Sequence, residues 1–444
     1  MKIRRYILAF VLGICSLCAW SQDVARMSER TIMGTARYVG MGGAMSAIGG
    51  DPSAVHDNVA GLGLYRRSEL LLTLNYTYDR TNQIGTTDYS GRHNFMLPQA
   101  SLVLSLPSNA LDDNGLQYNN FIFSFHRLHS FNRNMYGASE GEPSLGALLK
   151  GTDVNWDIPF CAERYSATDY LNLQESGYVD EFGIEWAMNL SNQLYLGAGL
   201  RIQSYSLTSD AVYQETFAKE NEKGVKYMNR NATTTIFSGT SCNLSAGVIY
   251  RPTGWLRLGM GLQTHSLGAL NSYTAGTLSA QTDSLRFSYA PDCSSRDADF
   301  HMPLHLSSSL AFQIGAYGLI AFQYDYLHQF KQNAVHSLRA GIEVIPVLGL
   351  YINAGYAYES TFNNEELIVP MDYSFNRQDT YFQQPKWSQY ASLAVGYRGT
   401  YAVVQAAYQY RWQQLNLTAH EKATPFDMHT DTHRIVLTIG WHRN

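Results

Sequence analysis

Fourteen stretches of this chain alternate apolar and polar residues with a period of two. In "LLLTLNYTY", from Leu70 to Tyr78, the leucines and tyrosines at every second position share one face. The stretch "EFGIEWAMNL", which begins at Glu181, shows the same alternation but starts with a polar residue. Such alternation is typical of a β-strand with one apolar and one polar face. The predicted strands are 70–80, 93–106, 119–131, 178–190, 194–208, 232–250, 255–266, 301–314, 317–329, 335–345, 349–360, 385–398, 400–413 and 431–442.

The connections between these stretches are alternately short and long. The short ones are 107–118, 191–193, 251–254, 315–316, 346–348 and 399. The long ones are 81–92, 132–177, 209–231, 267–300, 330–334, 361–384 and 414–430. Outer-membrane barrels pair short periplasmic turns with long outer loops. The sequence therefore predicts an all-β fold: a transmembrane antiparallel β-barrel of about 14 strands. The strands of a soluble β-sandwich or propeller also alternate apolar and polar residues. Neither fold, however, is expected to have an outer face rich in Tyr, Trp and Leu.

The N-terminus has the three parts of a secretory signal peptide. Lys2, Arg4 and Arg5 precede an apolar run, and a small-x-small cleavage site ends at Ser21. We expect residues 1–21 to be a cleaved signal peptide, residues 22–68 an N-terminal hatch and residues 69–444 the barrel. Together these parts predict a multi-pass protein in the outer membrane of a Gram-negative bacterium, in contact with outer-membrane lipid and monomeric.

Composition excludes several other classes of protein. The net charge is −5, so nothing indicates a nucleic-acid partner. Past the signal peptide, Cys161, Cys242 and Cys293 are too few and too scattered for a disulfide framework or a metal site. Histidines four apart in strands, such as His301 and His305, share a face without forming a metal pair. We expect no metal, no cofactor and no catalytic residues, and therefore no enzyme.

A glycine-rich stretch, "RYVGMGGAMSAIGGDPSAVHDNVAGLG", precedes the first predicted strand. It lacks the third glycine of a dinucleotide fingerprint and follows no strand, so it is not a phosphate-binding loop. A barrel of fourteen strands has a lumen too wide for its own side chains to fill. Small residues allow a segment to pack closely inside such a lumen. The predicted hatch residues are Gly40, Met41, Gly42, Gly43, Asp51, Asn58, Val59, Ala60 and Gly61.

These residues resemble the N-terminal hatch of the FadL-type outer-membrane transport family. The match consists of Ala36, Arg37, Gly40 to Ala44, Asp51, Ser53, Ala54, Asn58 and Ala60 to Leu62. The resemblance implies a fourteen-stranded barrel with a hatch that carries hydrophobic molecules, such as long-chain fatty acids, across the outer membrane. Val59 stands where the family motif has proline, and the chain ends without the usual terminal aromatic residue.

A second function is also compatible with this resemblance. Related barrels serve protein export, so the chain is alternatively a secretion-associated or structural barrel that binds partner proteins. Bound lipid would favour transport, and bound partner proteins would favour export.

Two groups of residues are candidates for contact with a hydrophobic small-molecule cargo. Six charges on the inner faces of predicted strands either bind a ligand directly or satisfy one another: Glu181, Glu185, Arg201, Arg257, Arg339 and Glu343. The three-residue turn 191–193 would place Glu185 diagonal to Arg201. In the longest loop, "PSLGALLKG" and the residues after it supply either a capture groove or the loop's own small core: Leu145, Leu148, Leu149, Trp156 and Phe160. Pro98 would interrupt the ladder of the second strand, which makes it the candidate position of a lateral gate.

Overall fold

The computed structural model describes residues 26–85, 89–108, 115–141, 167–218, 226–281, 286–290, 293–329, 334–361, 382–419 and 425–443. Eighteen strands in this part of the chain form one sheet. They are β1 (Ser68–Gln83), β2 (Tyr89–Pro107), β3 (Leu116–Ser130), β4 (Arg133–Gly141), β5 (Ala167–Leu190), β6 (Leu194–Ala218), β7 (Lys226–Tyr250), β8 (Leu256–Gln263), β9 (Leu267–Gln281), β10 (Arg286–Tyr289), β11 (Ser294–Phe300), β12 (Leu304–Ile314), β13 (Gly318–His328), β14 (Val335–Val347), β15 (Leu350–Ser360), β16 (Phe382–Arg398), β17 (Ala402–Thr418) and β18 (Phe426–Arg443).

The sheet closes on itself as an antiparallel barrel. The first strand pairs with the last from Ser68↔Arg443 to Gln83↔Met428. Four of the eighteen strands are continuations of others: β4 follows β3, β9 follows β8, and β10 and β11 precede β12. The barrel therefore has fourteen strands around its circumference, and the predicted fold class is confirmed.

The apolar face of each predicted strand points outward. Ile184 and Leu437 are about half exposed, whereas Glu185 and Arg201 on inner faces are buried. Closure satisfies the backbone of the paired strands, and the alternation places apolar side chains on the outside and polar side chains on the inside.

The turn between β5 and β6 has the predicted length of three residues, with Leu190 opposite Leu194. Ser191 and Asn192 adopt φ values of 56° and 57° to close it. The other short connections lie at the same end of the barrel, because consecutive antiparallel strands reverse direction. We call this the short-turn end, and the opposite one the long-loop end.

Several strands extend beyond their predicted bounds at the long-loop end. The predicted loops 132–177, 209–231 and 267–300 contain β4, β9, β10, β11 and the outer parts of β5, β6 and β7. There the strands keep pairing with each other, as in Ala167↔Phe217, although no apolar outer face marks them in the sequence.

Short helices precede the barrel, and among them are α1 (Ala36–Gly40), α2 (Pro52–Asp57) and a 3₁₀ helix (Val59–Leu64). None of the helices in the described ranges is both long enough and apolar enough to cross a membrane.

We expect Leu437→Lys to destabilise the protein in a lipid bilayer by about 2–4 kcal/mol, because the new charge lies on the outer face near mid-strand. Tyr317→Lys, in an exposed turn at the short-turn end, is the matched control and should cost about 0–1 kcal/mol. Equilibrium unfolding in urea with the protein in bilayers measures both changes. Equal effects of the two substitutions would contradict the assignment of a lipid-facing outer surface.

Candidate functional site

The N-terminal segment (residues 26–67) is built from short helices with a side-chain cap at each start. The Thr35 side chain accepts a hydrogen bond from the Tyr38 amide, and Asn58 accepts one from the Ala60 amide. Asp51 accepts one from the Ser53 amide, and Pro52 follows at the first helical position. The first backbone amides of a helix have no partner within the helix. These capping side chains accept their hydrogen bonds in a buried position, away from water.

The backbone of this segment packs directly against inward-facing glycines of the wall. A Cβ atom on Gly261 would lie 2.2 Å from the Asp57 carbonyl oxygen. One on Gly355 would lie 2.1 Å from the Gly42 amide nitrogen. Any larger side chain at these two wall positions would collide with the segment. The segment therefore lies inside the lumen, in direct backbone contact with the wall.

The predicted hatch residues lie at these contacts. Gly42 and Gly43 adopt positive φ values of 62° and 76° in the turn after α1. Gly40 faces Ala394, where a Cβ would come within 2.3 Å of the alanine methyl. The remaining members are buried: Met41, Asp51, Asn58, Val59, Ala60 and Gly61. Val59 is the first residue of the 3₁₀ helix, so a helical start forms here without proline.

Arg201 is a completely buried charge of the inner wall. Its Nε donates to Glu185 Oε1 at 2.7 Å, the diagonal pair expected from the three-residue turn. Its other two nitrogens donate to the carbonyl oxygens of His56 and Val55 at 2.8 and 3.1 Å. One guanidinium thus joins two neighbouring strands to the end of α2.

Two further arginine–carboxylate pairs connect the segment to the wall on the opposite side. Arg37 donates bidentately to Glu343, at 2.7 and 2.9 Å. Arg339 of β14 lies 3.2 Å from Asp57. Bidentate arginine–carboxylate pairs are among the strongest charged hydrogen bonds in proteins.

All six predicted inner charges have partners in the structure. Arg257 donates to the Ile48 carbonyl oxygen and to Gln313. Glu181 accepts hydrogen bonds from Gln203 and lies 2.8 Å from His56. Together with the pairs above, these contacts hold the N-terminal segment, so their role as ligand contacts stays a prediction.

His56 lies at the centre of a charged cluster. Its ring stacks on His126 with centroids 4.8 Å apart. Burial lowers the pKa of His56, Glu181 opposes that shift, and Arg201 and Arg30 add to it. The neutral imidazole is therefore the form that fits this position.

The long-loop half of the interior contains an apolar cluster that the sequence did not indicate, beside the buried carboxylates Asp169, Glu175 and Glu215. Met135, Leu171, Leu173, Leu415, Leu417, Phe426 and Met428 form one buried cluster. They come from β4, β5, β17 and β18, and all of them lie in the predicted loops 132–177 and 414–430. We call this cluster the apolar layer. Regular alternation in those stretches is the signal that could have revealed them.

The wall contains one seam without backbone pairing. β2 pairs with β3 only from Gln99↔His126 to Pro107↔Tyr118. Among the described residues, 89–96 pair with β1 but not with β3 or β4. The register of β1 and β2 shifts at this point, where Pro98 offers no amide donor. The predicted irregularity at Pro98 is present, and its role as a gate stays a prediction.

Side chains span this β2–β3 seam. Asn94 Nδ2 lies 3.3 Å from Ser130 Oγ, and Arg92 donates to the carbonyl oxygen of Glu175. The N-terminal segment borders the seam from inside, since the Thr31 amide donates to the Leu128 carbonyl oxygen at 3.0 Å. The seam is closed in this structure, but it is held by few hydrogen bonds.

The remaining predicted residues lie outside the described residues, or are histidines for which the sequence predicts no metal pair. Leu145, Leu148, Leu149, Trp156 and Phe160 lie outside the described residues, and the capture groove stays a prediction. His305 contacts Asp325, while His301 contacts the Ser266 carbonyl oxygen. Within the described ranges, no three His, Cys, Asp or Glu side chains are grouped closely enough to hold a metal ion.

We expect Gly355→Val to displace the N-terminal segment, because the new side chain would overlap the backbone at Gly42 and Met41. The single-channel conductance of the purified protein in planar bilayers should rise above that of the unchanged chain. Gly254→Val is the matched control, since its nearest neighbour is 3.9 Å away. If both variants conduct like the unchanged protein, the segment does not seal the lumen.

We expect docking of α2 to weaken as the pH falls below about 6.5. The folded pKa of His56 is lower than that of an exposed histidine, so docking is fully favourable above the ordinary value and is lost on acidification. Hydrogen exchange of the amides of residues 52–57 at pH 7.5 and 5.5, corrected for intrinsic rates, measures this. His56→Gln should remove most of the pH dependence, and an unchanged dependence would assign it to other groups.

Comparison with known proteins bears on the fold. No family model matches the chain, and no curated protein matches it. Among solved structures it is similar to a FadL homologue of Pseudomonas aeruginosa, with a TM-score of 0.58 and 14% identity over 94% of this chain and 99% of that chain. It is also similar to the toluene transporters TbuX of Ralstonia pickettii (TM-score 0.56, 14% identity, 93% and 99% covered) and TodX of Pseudomonas putida (0.54, 14%, 94% and 99%).

At this identity the likeness establishes the fold, and it extends over nearly the whole of each chain. The fourteen-stranded barrel described above therefore has the same fold as this FadL homologue and these toluene transporters.

Proposed function

We propose that this protein is a non-enzymatic outer-membrane channel for the uptake of hydrophobic small molecules. It is exported by a cleaved signal peptide, acts as a single barrel, and carries a hatch formed by its N-terminal segment. The observation that carries the proposal is the division of the interior. An apolar layer lies in the long-loop half, and the N-terminal segment, which ion pairs connect to the wall, fills the short-turn half.

The apolar layer suits a hydrophobic cargo and no polar one. Its side chains are almost fully buried, and they contact each other instead of water. A hydrophobic molecule that entered from the long-loop end would exchange one apolar contact for another, and would gain by leaving water.

The β2–β3 seam offers a route out of this layer into the membrane. It lies between residues 89–98 and the end of β3, at the level where β4 begins. Opening it breaks side-chain hydrogen bonds worth about 1 kcal/mol each, not a backbone ladder. We propose that cargo leaves sideways through this seam while the N-terminal segment keeps the lumen closed to ions.

Two cargo classes are the first to test. The resemblance of the hatch motif implies long-chain fatty acids, and the similar solved structures are named as toluene transporters. Both classes are apolar enough for the layer described above.

We expect a disulfide across the seam to block uptake. The pair Asn94→Cys and Ser130→Cys joins side chains that contact each other at 3.3 Å. In a background with the natural cysteines replaced by serine, cells expressing this variant should take up radiolabelled oleate or toluene only after a reductant is added.

The matched control places the disulfide where the two strands already pair. Ser101→Cys and Ser124→Cys are opposite each other in the β2–β3 ladder and should leave uptake unchanged. Uptake through the seam-locked barrel at the unlocked rate would contradict the lateral route. Absence of uptake of both cargoes by the unlocked barrel, with partner proteins bound stoichiometrically, would instead support the secretion-associated or structural alternative.

A further inference from the structure

A cavity lies at the short-turn mouth of the lumen, at the barrel rim and away from the seam. It has a volume of about 640 Å³ and lies between the turns around Ala316, Gly349 and Gly399. A smaller cavity of about 260 Å³ adjoins it and shares Arg67 and Arg398 with it. We call the two together the rim cavity.

The rim cavity is rich in positive charge. Four arginines line it, Arg37, Arg66, Arg67 and Arg398, against the two carboxylates Glu69 and Glu343. Glu343 is already occupied by the bidentate contact with Arg37 described above. Arg398 lies 3.5 Å from Glu69, and its side chain remains 43% exposed.

Arg67 is the cation most available to a ligand. It is exposed, and it makes no hydrogen bond or ion pair to any other residue in the described ranges. It lines the same two cavities as Arg398, so two guanidinium groups border one space. A planar guanidinium matches the oxygen geometry of phosphate and carboxylate groups.

A buried phenol adds an uncharged donor to this site. Tyr351 lines the cavity, is 7% exposed, and packs over Gly396, which has no side chain to displace it. Its hydroxyl has no hydrogen-bond partner among the described residues. Buried polar groups are nearly always satisfied, so an acceptor oxygen from outside the protein would complete the site.

The outer side of the cavity is apolar and faces away from the lumen. Leu348 is 98% exposed at a turn, and Tyr397 is 56% exposed on the outer face of β16. Both lie at the level of the barrel rim, where aromatic residues of membrane barrels meet the lipid interface. The cavity thus presents cations inward and apolar surface toward the bilayer.

We propose that the rim cavity binds an anionic phospholipid from the membrane leaflet at the short-turn end. The phosphate head group contacts Arg67, Arg398 and the Tyr351 hydroxyl, and an acyl chain lies along Leu348 and Tyr397. Basic pockets at a membrane surface select anionic head groups in this way. This inference rests on the proposed membrane location but not on transport.

Native mass spectrometry of the full chain in mild detergent, titrated with phosphatidylglycerol, tests the site. We expect one tightly retained lipid on the unchanged protein and at least tenfold weaker retention with Arg67→Gln. Arg251→Gln is the matched control, because Arg251 lies in another turn at the same end, lines neither cavity and should leave retention unchanged. The double variant Arg67→Gln, Arg398→Gln should lose the remaining binding.

Three results would overturn the proposal. One is equal retention by Arg67→Gln and Arg251→Gln, with both barrels shown to be folded by heat-modifiable migration. Another is preferential retention of oleate over phosphatidylglycerol at the arginines, which would assign the cavity to cargo. The third is arginine-dependent binding of inorganic phosphate without any retained lipid. Transport assays measure a different property, so a negative result in this lipid-binding experiment would not contradict the proposed function.

Discussion

Hydrogen bonds from wall side chains to the backbone of the N-terminal segment hold the interior of this barrel together. Short helices leave many carbonyl groups without partners, and a lumen sealed from water must supply them. Arg201 donates to two carbonyls at the end of α2, and Asn120 donates to those of Leu62 and Tyr65. Arg434 does the same for Ile32. Polar residues on the inner wall are therefore structural partners of the segment before they are anything else.

Much of this architecture could be predicted from local sequence pattern, because a strand period of two fixes which face each residue occupies. Glu185 and Arg201 were placed together in this way, since only a three-residue turn separates their strands. The pairs Arg37–Glu343 and Arg339–Asp57 could not be placed, as they join residues 306 and 282 positions apart. Periodicity gives a residue's face but not its position around the barrel, so those contacts needed the structure.

The apolar layer escaped prediction for a different reason. Its residues lie where the strands extend beyond the membrane-facing region, so no apolar outer face accompanies them. In β5, for example, Leu171 and Leu173 alternate with Asn172 and Gln174 and point inward. The period of two is the same as in the other strands, but here the apolar side chains point inward and the polar ones outward. Such a stretch resembles a polar loop in the sequence. The long-loop half of the interior is accordingly mixed, because the apolar layer lies beside the buried carboxylates Asp169, Glu175 and Glu215.

The division of the interior favours a sideways exit over passage through the segment. An apolar molecule pushed between Arg339 and Asp57 would leave buried charges without partners, at a cost of about 3–5 kcal/mol for each broken pair. At the β2–β3 seam the same molecule displaces only a few neutral or singly charged hydrogen bonds, and it moves from one apolar environment to another. Hydrophobic cargo and a permanently seated N-terminal segment are thus compatible, because the weakest part of the wall lies beside the apolar layer and not beneath it.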